Sequence, residues 1–161
     1  MQFNPNRVRH AIPTAWLLAV ALAAGSAGAM AEEAVGTVKR LEGQAVLASA
    51  AGERPAQVGA ALYQGDRVLT RSGGAVGLTL MDGTLLAVGP NSAVAVQNFR
   101  FDSTTRQGSL LVDISRGAMR MVSGLLARHD PRSVSVNTPT ATIGIRGTDF
   151  LVDLGDDVAT K

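Results

Sequence analysis

The chain has no cysteine. That excludes disulfides, thiol catalysis and a lipid-modified N-terminal cysteine, and leaves the hydrophobic core alone to hold an exported domain together. Aromatic residues are 4% of the sequence, with one Tyr, Tyr63, and one Trp, Trp16. Stacking platforms of the kind that bind sugar rings therefore have little to be built from. Only two histidines occur, His10 and His129. Metal centres assembled from His and Cys are excluded by count, and a Ser–His–Asp arrangement would depend on His129 alone. Segments with the long period of an amphipathic helix are missing. The strongest apolar run, Trp16 to Ala24, is nine residues, short of the ~20 that span a bilayer.

What is present at the N-terminus has a different logic. Arg7, Arg9 and His10 precede that apolar run, and small residues then lead to Ala29-Met30-Ala31 ahead of Glu32-Glu33. A basic segment, an apolar segment and an A-x-A site predict a secretory signal peptide over residues 1–31, cleaved after Ala31, and a single domain over 32–161. Of the 15 Lys and Arg, removing Arg7 and Arg9 leaves 13, against 13 Asp and Glu that all lie at or after Glu32. The exported chain is formally neutral. Its basic residues are scattered singly, so nothing argues for nucleic acid, and no membrane span is expected once the leader is gone. About 130 residues suffice for one ordinary core.

The remainder reads as short strands separated by turn signals, which predicts an all-β fold. Val35–Leu41 and Gln44–Ala48 suggest a first strand pair around Glu42-Gly43, and Ala50–Gly59 a surface loop. Val76, Leu78 and Leu80 alternate with small or polar residues. Asp82-Gly83 suits a tight hairpin, and Leu86 and Val88 lie on the return. Val94, Val96, Leu110, Val112 and Ile114 continue the apolar alternation, and Asp102–Gly108 is a polar loop. Gly124–Arg132 reads as a loop or a short helical turn before Pro131. Val136, Ile143, Phe150 and Val152 complete the expected core. Near-regular strand spacing fits a β-roll or solenoid-like domain, with a β-sandwich or barrel as the alternative.

The most specific segment is Thr138-Pro139-Thr140-Ala141-Thr142-Ile143-Gly144-Ile145-Arg146-Gly147-Thr148-Asp149-Phe150-Leu151-Val152. The pattern T-P-x-A-x-x-G-[VI]-R-G-T-x-F-x-V resembles the signature of the FecR domain family, carried here by Thr138, Pro139, Ala141, Gly144, Arg146, Gly147, Thr148 and Phe150. Gly65-Asp66-Arg67-Val68, Thr70-Arg71-Ser72-Gly73, Asp82-Gly83-Thr84 and Asn91-Ser92 extend the resemblance upstream. It implies a periplasmic, non-enzymatic, all-β module of bacterial cell-surface signalling, and tips the fold expectation toward the roll. Signal-transducing members place an anti-sigma segment and a transmembrane helix ahead of this domain. Here a leader stands in that place, so the expectation is a soluble partner or accessory of an envelope sensor or receptor rather than a carrier of the signal across the inner membrane. A periplasmic glycan- or small-ligand-binding protein is the alternative, a hydrolytic enzyme has little beyond His129 to rest on, and a fragment of a longer reading frame is the alternative reading of the chain's ending.

No cofactor or metal is expected. Asp153, Asp156 and Asp157 fall close together but lack the spacing of the helical calcium loop, and they read as a solvated acidic tail. Gly144–Thr148 lacks the Lys-Ser/Thr ending of a phosphate loop. Arg146, between two glycines, is expected to brace a turn against backbone carbonyls or one of Asp66, Asp82, Asp113 and Asp149, with display at a binding surface as the alternative. The strand around Asp149, Leu151 and Asp153 is expected to be an open edge, able to pair with a strand of an envelope protein.

Overall fold

A computed structural model describes residues 33–155. The expected leader and cleavage site, with Asp156 and Asp157, lie outside the described residues. In chain order the strands are β1 (Ala34–Glu42), β2 (Ala45–Ser49), β3 (Gly52–Pro55), β4 (Ala61–Tyr63), β5 (Arg67–Thr70), β6 (Ala75–Leu80), β7 (Leu85–Val88), β8 (Ala93–Phe101), β9 (Gly108–Arg116) and β10 (Ala118–Val122). A short helix α1 (Leu125–His129) and a 3-10 turn (Pro131–Ser133) follow, then β11 (Val134–Asn137), β12 (Thr142–Gly144) and β13 (Asp149–Asp153).

The fold is all-β, as expected. One sheet has the order β13-β10-β7-β6-β1-β4 and the other β12-β11-β9-β8-β5-β2-β3. Neither closes into a barrel, and the apolar faces of both form a single core. The chain passes repeatedly from one sheet to the other while advancing along both, so a sandwich-like pair of layers is wound in the manner of a roll. Most ladders are antiparallel; β9 and β11 run parallel, joined through β10, α1 and the 3-10 turn. A parallel pair needs such a crossover because a hairpin cannot make it.

The alternation read from the sequence is the alternation observed. Val76, Leu78 and Leu80 point inward from β6, and Leu86 and Val88 from β7. Val94, Val96, Leu110, Val112, Ile114, Val136 and Val152 are also buried. Gly83 takes a positive φ of 81° in the hairpin between β6 and β7. Gly124–Arg132 contains the helical turn, and Leu126 seals it into the core.

Three expectations need correction. β1 and β2 do not form a hairpin: β1 pairs with β4 and β6 in one sheet, β2 with β3 and β5 in the other. Gly43, at φ 60°, turns the chain between layers, a bend that a two-residue period cannot distinguish from a hairpin. The loop expected over Ala50–Gly59 contains β3, an exposed edge strand whose polar composition hides its ladder. Ile143 is not core: it is 39% exposed on the short outer strand β12, and its neighbour Ile145 is buried instead. Phe150 is half-buried, packed against the core.

Crossing between sheets takes backbone groups out of one ladder before they join the next, and buried groups so freed need partners. The buried polar residues are Asp66, Thr70, Asp82, Thr84, Ser92 and Ser123, and all sit where the chain turns or crosses. Asp82 accepts from the Thr84 N–H (3.0 Å), the Thr84 hydroxyl (2.8 Å) and the Leu126 N–H (3.4 Å). The Thr84 hydroxyl in turn accepts from the Gly124 N–H (3.0 Å). A Cβ on Gly124 would lie 2.4 Å from the Thr84 nitrogen, so only glycine fits that approach. The Asp82-Gly83-Thr84 hairpin thereby fixes the start of α1. Asp82→Ala should destabilise the fold by about 1–3 kcal/mol for each buried donor it orphans, read as a lower denaturation midpoint with unchanged slope. Asp82→Asn, which keeps an acceptor, should lose less.

Candidate functional site

The signature residues form the return from one sheet to the other. The Thr138 hydroxyl donates to the Ala141 carbonyl (3.0 Å) and accepts from the Ala141 N–H (3.1 Å). Thr138 N–H donates to the same carbonyl (2.8 Å). This closes the tight turn that carries Pro139 between β11 and β12, where a residue without an N–H costs the ladder nothing. Gly144 ends β12. Ile145 plugs the core and its N–H donates to the Val134 carbonyl (3.3 Å). Gly147, at φ 135°, turns the chain, and its carbonyl accepts from the Ser123 hydroxyl (3.3 Å). Thr148 then leads into β13, where Phe150 and Val152 face the core.

β13 pairs with β10 on one side, and among the described residues no strand lies on the other. Its register opposes Val122 to Asp149, Arg120 to Leu151 and Ala118 to Asp153. The Ser123 N–H donates to the Thr148 carbonyl (2.7 Å) just before this ladder, and the Leu154 N–H to the Gly117 carbonyl (3.0 Å) just after it. Hydrogen-bonded and non-bonded pairs alternate in an antiparallel ladder, so Thr148, Phe150, Val152 and Leu154 direct their backbone groups toward β10. Asp149, Leu151 and Asp153 direct theirs outward. The side chains of the same three residues are exposed, Leu151 to 67%. These residues therefore present both free backbone groups and accessible side chains along one edge.

Arg120 holds this edge strand electrostatically. Its Nε donates to Asp149 Oδ1 (2.9 Å) and its Nη2 to Oδ2, a bidentate pair on the solvent side. Those side-chain hydrogen bonds, with the guanidinium's charge, hold the Asp149 carboxyl below its ordinary value. Sequence reasoning missed Arg120. The signal was a cation between the buried Met119 and Met121, which marks the outer face of a strand.

The expected bracing role of Arg146 is not observed. Arg146 is exposed and makes no hydrogen bond or ion pair among the described residues. Its four candidate partners are otherwise placed. Asp66 is paired with Arg54 (2.7 Å), Asp82 binds the hairpin and α1, Asp149 is held by Arg120, and Asp113 lies on β9. Arg146 is displayed because Gly147 and the buried Ile145 already define the turn. His129 is exposed on α1, and the carboxylate of its neighbour Asp130 is taken by Arg132, through the backbone N–H (3.0 Å) and Nε (3.1 Å). Asp153 Oδ1 accepts from the Gly155 N–H (2.9 Å), a local turn. Among the described residues no group of three His, Cys, Asp or Glu is arranged to hold a metal ion, and no helix is long and apolar enough to cross a membrane.

The described residues form a two-layer all-β domain whose signature segment returns the chain into the outer strand β13. The family model described as FecR protein matches residues 66–160, more than half of the sequence, and the chain belongs to the FecR family. No curated protein matches it. Among solved structures it is similar to one described as a cell surface anchoring domain, at 32% identity and a TM-score of 0.37, covering 38% of this chain and 82% of that one.

Asp149 carries a depressed pKa in the folded state, so its contribution is present above the unfolded value of about 3.9 and is lost as pH falls through the lower folded value. Acidification below the ordinary aspartate range should loosen β13 from β10. Amide protection of Phe150 and Val152 should fall there before that of β6, and Arg120→Ala should remove the pH dependence of this difference. Added salt should weaken the effect, because the pair is exposed.

Proposed function

We propose that the protein is a non-enzymatic periplasmic interaction module, a soluble partner or accessory of an envelope sensor or receptor, and that it binds by accepting a strand along β13. Family membership supports an envelope-associated, signalling-related role. The observation that carries the mode of binding is the outward row of backbone donors and acceptors on Asp149, Leu151 and Asp153. Strand addition uses such a row for affinity and the alternating side chains for choice of partner.

A second copy of the chain is a poor occupant. Antiparallel self-pairing centred on Leu151 would set Asp149 of each copy opposite Asp153 of the other, and like charges directly opposed are destabilising. A partner strand with an apolar residue facing Leu151, flanked by a basic residue facing Asp153, fits the edge.

The small-ligand alternative has one observation in its favour. A groove of about 540 Å³ between the start of β1 and the end of β8 is lined by Met81, Phe99 and Phe101, with Arg100 and Glu33 beside them.

The tests differ. Leu151 turns its N–H away from β10, so Leu151→Pro removes a donor that no described ladder uses. Crosslinking of tagged protein in intact cells should recover an envelope protein with the native chain and at least tenfold less of it with Leu151→Pro, at an unchanged thermal midpoint. Undiminished recovery with a folded Leu151→Pro protein would refute strand addition. If that variant unfolds, Leu151→Lys, which leaves the backbone intact and places a charge on the edge, supplies the same comparison.

A further inference from the structure

The sequence scatters its arginines singly, but the fold gathers several of them at one end of the two sheets. The β6–β7 hairpin, the β8–β9 loop, the segment carrying α1 and the signature return all lie there. They adjoin one another in turn. The Leu125 N–H donates to the Asp82 carbonyl (2.8 Å), joining α1 to the β6–β7 hairpin. Arg106 of the β8–β9 loop shares a groove with Leu126 and His129 of α1, and Arg100 shares another with Met81. The signature return lies beside the α1 segment, because Ser123 and Val134, which bracket that segment, bond to Thr148 and Ile145.

Arg100, Arg106, Arg128 and Arg146 are exposed at this end, and none makes an ion pair among the described residues. Most nearby carboxylates are committed. Asp82 is buried in its knot, and Asp130 is held by Arg132. Asp102 Oδ1 accepts from the Thr104 and Thr105 N–H groups of its own loop (2.8 and 3.1 Å). Glu33, at the rim of the Met81 groove, is the exception. Arg106 stands at φ 59°, a conformation that glycine takes without strain. Arg146 is a signature residue that neither the turn nor the core employs. Two large apolar side chains protrude among these cations: Met81 at the hairpin tip, 62% exposed, and Leu125 at the start of α1, 36% exposed. The buried Leu126 and Ala127 turn α1 so that Leu125, Arg128 and His129 face outward.

We propose that this end of the domain docks on an anionic lipid surface, with Met81 and Leu125 entering the headgroup boundary and Arg106, Arg128 and Arg146 meeting lipid phosphates. Exposed apolar side chains ringed by basic ones are the composition of interfacial segments. An acidic peptide in solution would match the cations but leave Met81 and Leu125 in water; a lipid surface satisfies both. The arginines also stand on separate loops instead of converging in one cleft, which suits a plane of many headgroups. Asp149, Leu151 and Asp153 take no part, so the proposal stands or falls separately from strand addition.

The chain has no cysteine, so one apolar, environment-sensitive fluorophore can be attached to the full chain at a chosen place. The places are Met81→Cys and, in the turn between β5 and β6 at the opposite end, Ser72→Cys. Phosphatidylglycerol vesicles should shift the Met81→Cys label to the blue saturably and leave the Ser72→Cys label unchanged. Phosphatidylcholine vesicles should shift neither, and added salt should weaken the response. Arg106→Glu, Arg128→Glu and Arg146→Glu together should raise the half-saturating lipid concentration at least about tenfold. That variant keeps residues 1–31, so a response produced by those residues alone would survive it. The proposal is overturned if phosphatidylglycerol gives no saturable shift at Met81→Cys, if phosphatidylcholine matches it, if both labels respond alike, or if the folded charge-reversed chain binds as the parent does. Blocked polyglutamate shifting the label where vesicles do not would assign the surface to an acidic protein and overturn it too. Should the triple variant fail to fold, Arg128→Glu and Arg146→Glu singly supply the comparison.

Discussion

Each time the chain leaves one sheet for the other, its backbone must exchange one set of hydrogen-bonding partners for another inside a dry core. The fold depends on that exchange being complete. A few buried side chains perform it. Ser92 accepts from the Ala118 N–H (2.9 Å) and donates to the Pro90 carbonyl (2.9 Å), tying the approach to β8 to the start of β10. Thr70 accepts from the Ser92 N–H (2.8 Å) and donates to the Gly89 carbonyl (2.6 Å), adding the end of β5 to the same knot. Gly117 completes it: at φ 77°, with its missing Cβ 2.1 Å from the Ser92 hydroxyl, the position has room for nothing larger. The apolar layers supply most of the burial energy, but these knots decide where each strand stops and which sheet receives the next.

The same constraint shapes the surface that remains free. Inside the stack every strand has neighbours on both sides. Among the described residues β13 has one, as do the other edge strands β4, β12 and β3, and its opposite backbone groups point away from the ladder. Natural sheets blunt such edges with charge or short length. β13 is five residues long and carries Asp149 and Asp153 on its exposed face, a composition that opposes self-association while leaving Leu151 accessible. The signature segment before it delivers β13 to β10 in a fixed register. Family membership supports the proposed envelope role, and the edge geometry supports the proposed mode of binding.

Much of this was legible in the sequence because the informative period was short. Leu78 and Leu80, or Val112 and Ile114, declare their strands and their inward faces without help from distant residues. Thr138-Pro139 and Gly147 declare their turns for equally local reasons. What was hidden required knowing which strands are neighbours. Gly43 looks like a hairpin residue and is a crossing, because the choice between the two depends on β4 and β6 rather than on β2. β3 was hidden by its polarity; its Arg54 is committed to the buried Asp66 and to the Ala61 carbonyl (2.8 Å), a pairing visible only in three dimensions. Arg146 was misread because a cation between glycines suggests a brace, whereas Ile145 had already anchored the turn. Asp149 finds Arg120 across a ladder between strands well apart in the chain.

The winding order has a consequence for how such a domain comes into being. Successive turns of the chain are laid down against those just completed: β5 on β2, β8 on β5, β9 on β8, β11 on β9, and β13 on β10. A polypeptide emerging N-terminus first can therefore add each new strand to one already present, while its buried turns wait for later residues: Asp82 and Thr84 for Leu126 and Gly124, and Ser92 for Ala118. Topologies that demand pairing between the two ends of a chain expose unpaired strands for longer and fold more slowly. Here growth from the N-terminal windings toward β12 and β13 lays each new strand beside one already in place.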